Sequence, residues 1–196
     1  KRAANSSAQC EDCNAGRYRA GLDSGMSLCK RCKPGQYQNV EGSASCMNCA
    51  PGFFQPNSGE TSCIVCPAGQ YRTGDISGAL CHDCPSGFFQ NADGQASCLP
   101  CVPGKYQDES NTLACKLCPI NHFSNDTERV SCLECDVGTV ATSLGAASCQ
   151  VCAAGKYGIA CTKCAPGQYR GGEDLDSTIC KACPSGFYQS ERGTTY

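Results

Sequence analysis

The stretch Cys63-Ile-Val-Cys66-Pro-Ala-Gly-Gln-Tyr71 decides how this chain is read, because the same pattern returns as Cys81-His-Asp-Cys84-Pro-Ser-Gly-Phe-Phe89. Working outward from it, every cysteine belongs to a C-x-x-C motif. The eleven motifs begin at Cys10, Cys29, Cys46, Cys63, Cys81, Cys98, Cys115, Cys132, Cys149, Cys161 and Cys180. Most steps are 17 to 19 residues, with one short step of 12 after Cys149. A fixed period of this size marks a tandem array of small units, so residues 1–196 are expected to be one continuous array without a linker.

Two further positions keep the period. Three residues after the second cysteine stands glycine, at Gly16, Gly35, Gly52, Gly69, Gly87, Gly104, Gly138, Gly155, Gly167 and Gly186, with Asn121 as the one departure. Asparagine is the side chain that best tolerates positive φ, so the exception marks a conformational demand. Two residues later comes an aromatic ring, as at Tyr18, Tyr37, Phe54, Tyr71, Phe123 and Tyr169, replaced by an aliphatic only at Val140. These rings are expected to cover disulfides and supply each unit's small core. Phe53, Phe88 and Phe187, one residue earlier, fall on the opposite face of a strand. They are the candidate contact surface.

Composition explains why the cysteines carry the fold. Leu, Ile, Val and Phe make up about 14% of the 196 residues, too little for an ordinary apolar core. The 22 cysteines must offset the chain entropy instead. Zinc is the alternative use of so many thiols, but the only histidines are His82 and His122, and eleven motifs do not divide evenly into four-thiolate sites. Disulfides, and with them an extracellular or cell-surface location, are the expectation, with no metal and no cofactor. Two sequons, Asn5-Ser-Ser and Asn125-Asp-Thr, fit secretion and imply glycans. A net charge of −2 without a basic cluster argues against nucleic acid. No apolar run reaches the ~20 residues of a membrane span. The absence of a leader at Lys1 gives the expectation of a fragment from a longer repeat chain.

Between motifs, turn-rich stretches such as Asn91-Ala-Asp-Gly94 predict small hairpins, and Gly, Pro and the cysteine clamps recur too often for helix to be favoured. The fold class is therefore small, disulfide-rich and all-β or irregular, an elongated solenoid-like rod of hairpin repeats with no helix of note. A longer period is visible where Arg19, Arg72 and Arg170 follow their tyrosines in the longest loops. It places the three arginines in related orientations, or reflects duplication alone.

The run C-x-x-C-P-x-G-x-Y/F resembles the ephrin-receptor-like cysteine-rich repeat and is similar to the first loop of tumour-necrosis-factor-receptor modules. The resemblance spans essentially the whole chain and implies an extracellular setting. In those modules the cysteine before the G-x-Y segment closes onto the next cysteine downstream. Carried over, this implies Cys13–Cys29, Cys32–Cys46, Cys49–Cys63, Cys66–Cys81, Cys84–Cys98, Cys101–Cys115, Cys118–Cys132, Cys135–Cys149, Cys152–Cys161 and Cys164–Cys180, with Cys10 and Cys183 paired outside the segment. Spacing alone leaves open an interlocked pairing of first with first and second with second cysteines, a scheme that requires an even number of motifs.

Catalysis is not expected. The histidines lie in different loops without a nucleophile beside them, and C-x-x-C redox chemistry needs one reactive pair in a thioredoxin-like setting. Glu173-Asp-Leu-Asp176 lacks the ligand spacing of a calcium loop and reads as a solvated tip. The functional expectation is an extracellular structural rod, stalk or surface fibre whose partners are other protein chains, including copies of itself. The alternative is a receptor or adhesion ectodomain binding a protein ligand, with Val130 to Val140 and the three leading phenylalanines as the places to look.

Overall fold

The computed structural model describes residues 10–21, 28–74, 78–174 and 176–195. Among them run twenty strands, each two residues long, paired into ten antiparallel two-stranded sheets. Each sheet joins the residues after the periodic glycine to the two residues inside the next C-x-x-C motif. Gln36 and Tyr37 lie opposite Asn48 and Met47, and Phe53 and Phe54 lie opposite Val65 and Ile64. Cystine brackets each hairpin, and the ladder extends only one bond further, where the Cys49 N–H reaches the Gly35 carbonyl at 2.9 Å. One short 3₁₀ turn, Ile159–Cys161, spans the shortest loop. No helix of the described residues is long and apolar enough to cross a membrane.

The periodic glycine is left-handed because its N–H must turn toward the following loop. Gly35 sits at φ 81° and donates to the Gln55 carbonyl at 2.7 Å. Asn121 adopts φ 63° and makes the same bond to Ala141 at 2.9 Å, the conformation its sequence position demands. A second left-handed position, ten residues after the second cysteine, was hidden in the sequence because it is not always glycine: Asn111 and Glu128 share it with Gly59 and Gly145. Its N–H reaches back to the preceding loop, as from Gly59 to the Cys32 carbonyl at 2.9 Å and from Glu128 to Cys101 at 2.9 Å. Neighbouring loops are thus tied in both directions by backbone hydrogen bonds.

The aromatic rings do not form the core that the sequence leads one to expect. Tyr37, Phe54, Tyr71 and Tyr106 are only half-buried, whereas Cys32, Cys66, Cys84, Cys101, Cys118 and Cys164 are completely enclosed. The other enclosed side chains stand six residues after the second cysteine and are polar at Gln38, Gln55, Arg72, Gln90, Gln107, Ser124 and Arg170, with Ala141 as the apolar exception. With rings at the surface of such thin units, the interior is cystine and hydrogen-bonded polar groups.

The chain packs as two compact units, and the loop of Cys84 and Cys98 contributes to both. The first comprises residues 1–84 and 90–98, the second residues 85–89 and 99–196.

Candidate functional site

Ten disulfides join Cys13 to Cys29, Cys32 to Cys46, Cys49 to Cys63, Cys66 to Cys81, Cys84 to Cys98, Cys101 to Cys115, Cys118 to Cys132, Cys135 to Cys149, Cys152 to Cys161 and Cys164 to Cys180. Each closes one loop, of 14 to 16 residues' separation except for the 9 between Cys152 and Cys161. Among the described residues Cys10 and Cys183 form no disulfide; Cys10 is exposed and Cys183 half-buried.

The three leading phenylalanines differ. Phe53 is 39% exposed opposite Val65, and Phe187 is 64% exposed. Phe88 is half-buried opposite Pro100. Phe53 and Phe187 each line an open groove between consecutive loops, built to one plan. In the first unit, Tyr37 of one loop and Ala50, Phe53 and Thr61 of the next enclose about 320 Å³. In the second unit, Tyr169 and then Pro184, Phe187 and Thr195 occupy the same offsets around about 310 Å³. No charged side chain lines either groove. An aromatic wall on each side with a hydroxyl near the rim suits an uncharged side chain that sheds water on entry.

Large apolar residues are also exposed elsewhere along the chain. Ile64, Val65, Leu99, Leu117, Val130, Leu133, Val137 and Val151 are all between 41% and 64% exposed. The run Val130 to Val140 ends in a half-buried Val140.

Asn125, Asp126 and Thr127 are exposed, so the second sequon is accessible; Asn5 lies outside the described residues. Near the other acidic tip, Asp174 accepts the Gly171 N–H at 2.8 Å and pairs with Lys181, while Asp176 accepts from Thr178. Lys181 holds the Asp174 carboxyl below the usual aspartate value, and the Thr178 hydroxyl does the same for Asp176. These carboxylates are committed to their own loop, and no cluster of three metal-ligating side chains occurs among the described residues. His82 stacks obliquely on Tyr71, ring centres 6.1 Å apart, while His122 contacts the Ile120 carbonyl at 3.1 Å.

Sequence reasoning passed over the enclosed glutamines of the buried polar offset, and it marked two arginines of the longer period without foreseeing that they point inward there. Arg72 and Arg170 are 1% and 2% exposed and display nothing outward. Arg72 donates to the carbonyls of Cys49, Ala50 and Phe53, at 3.2, 2.9 and 2.6 Å. Arg170 repeats the grip on Cys152, Ala153 and Lys156, at 2.8, 3.1 and 3.0 Å. In both cases Nη1 of the guanidinium takes the cysteine carbonyl that the left-handed turn N–H takes elsewhere. The signal lay in the longer loops that carry these arginines.

A family model described as tyrosine-protein kinase ephrin type A/B receptor-like matches the chain four times, over residues 20–54, 35–80, 74–114 and 104–152. None of the curated proteins matches it significantly.

Proposed function

The chain belongs to the ephrin type A/B receptor-like family, and on that premise we propose that it is part of a receptor or adhesion ectodomain that receives a protein ligand. Ten disulfides and the family together point to an extracellular or secreted protein. The observation that carries the ligand-binding reading is the groove built twice on one plan, by Tyr37 with Phe53 and by Tyr169 with Phe187. A stalk needs only a polar surface, whereas exposed aromatic grooves without charge are where binding energy concentrates. Repetition alone would equally serve a stalk or fibre; the family and the grooves favour the ectodomain. In this reading the chain is not an enzyme, and its partner is a protein.

The test presents the chain bivalently to a panel of intact cells. Saturable binding to a subset of the panel is the expected result, weakened roughly tenfold or more by Phe53→Ser combined with Phe187→Ser. No binding to any cell type, or binding indifferent to both substitutions, counts against the reading. A glycan on Asn125 belongs to the same proposal, and its signature is a mass loss on enzymatic deglycosylation that Asn125→Gln abolishes.

A further inference from the structure

Five loops carry a glutamine six residues after the second cysteine; Gln189 in the last is half-buried and accepts the Glu191 N–H at 3.2 Å, and the four enclosed ones each use the side-chain amide in the same way. Gln38 donates to the Ser45 carbonyl at 2.7 Å and accepts the Val40 N–H at 3.0 Å. Gln55 pairs with Ser62 and Asn57 at 2.8 and 3.1 Å, and Gln90 with Ser97 and Ala92 at 2.9 and 3.2 Å. Gln107 does so with Ala114 and Glu109 at 2.7 and 3.1 Å. All four are no more than 6% exposed. A primary carboxamide is the neutral group that places one donor and one acceptor side by side, and the loop backbone is shaped to meet both.

In the loop closed by Cys135 and Cys149, the corresponding residue is Ala141, itself 3% exposed. Where the amide would lie there is a half-open cavity of about 200 Å³, lined by Ala141, Thr142, Ser143, Ala147 and Ser148 among others. Ser143 and Ser148 are the counterparts of the two residues that hold the glutamine amide elsewhere. No protein hydrogen bond to the Ser143 N–H or the Ser148 carbonyl is made among the described residues. One water fills about 30 Å³ of liquid, so the cavity admits a group of several heavy atoms. No charged side chain lines it.

We propose that this cavity is a receptor for a primary carboxamide, supplied by a glutamine or asparagine side chain of the protein ligand. The proposal rests on the ectodomain reading for its partner, but the cavity's chemistry stands on the four filled loops. A carboxylate could accept from Ser143 yet would face the Ser148 carbonyl without a proton to offer. A ketone would leave that carbonyl unmet, and an ammonium would leave the Ser143 N–H unmet. The site therefore discriminates by requiring both halves of the amide.

The experiment follows the backbone amide signals of the isotope-labelled chain during titration with propionamide, propionate and butanone. Saturable movement of the Ser143 signal with propionamide is the expected result, with apparent affinity for propionate and butanone at least roughly tenfold weaker. In Ala141→Gln the chain's own amide fills the cavity. The Ser143 response should vanish, and cell binding should weaken relative to the parent chain. Equal responses to all three probes, no response to propionamide, or an unchanged response in Ala141→Gln would overturn the assignment. Cell binding that Ala141→Gln leaves intact would overturn the role in ligand recognition. If the parent chain binds no cell, it is the ectodomain reading that fails, and the propionamide titration still decides the cavity.

Discussion

Arg72 and Gln107 occupy the same offset from their second cysteines, yet their side chains run in opposite directions. Gln107 folds back on its own loop, while Arg72 reaches into the loop before it. Both are enclosed, so each loses its partners' hydrogen bonds in full when truncated. For Arg72→Ala the loss is concentrated on three carbonyls. The Gly52 N–H donates to the Arg72 carbonyl at 2.9 Å, and its exchange protection should fall on the order of a hundredfold. Gln107→Ala should cost about 1–2 kcal/mol in a denaturant titration under non-reducing conditions. Its counterpart Ala141→Gln should gain up to about 1 kcal/mol by filling an existing hole.

At the scale of the hairpin element, the periodic glycine answers two demands at once, and two positions separate them. At Gly52, φ 78°, an added Cβ would lie 2.0 Å from the Gly94 carbonyl oxygen. At Gly167, also φ 78°, nothing among the described residues lies within 4 Å of the same point. Gly167→Ala should therefore show only the left-handed penalty of roughly 1–2 kcal/mol. Gly52→Ala adds a backbone collision that no side-chain rotation relieves. Secretion yield of correctly bonded protein should be near normal for the first and strongly reduced for the second; equal yields would mean that the loop contact contributes nothing.

For the whole molecule, disulfide closure replaces an apolar core. Each loop of about 15 residues removes roughly 3 kcal/mol of unfolded-state freedom. Reduction should therefore abolish the dispersed backbone amide spectrum. Charge adds little. The Lys116 hydrogen bond holds Asp108 below its ordinary value, and Asp108 then Glu109 raise Lys116. Lys181 lowers Asp174 and is itself raised by it. A depressed aspartate contributes stability above its ordinary pKa and loses it as pH falls through the lowered value. A raised lysine contributes below its ordinary pKa and loses it as pH rises through the raised value. The plateau lies between, and because the pairs are exposed their contributions are screened. The melting temperature should vary by less than roughly 3 °C between about pH 5 and 9.

What the sequence by itself determined is what depends on one residue's chemistry at a fixed offset: the cysteine period, the short hairpins, and the left-handed demand that Asn121 betrays. Family membership follows from the same spacing. Only the tertiary structure decided what each loop does for its neighbour. It put polar side chains rather than rings in the interior, turned Arg72 and Arg170 inward, set Phe53 and Phe187 in grooves while half-burying Phe88, and left a cavity above Ala141. The reason is that glutamine and arginine read as solvated on local grounds. Only the stacking of one loop on the next encloses them and brings backbone carbonyls and N–H groups within 2.6–3.2 Å of their side chains.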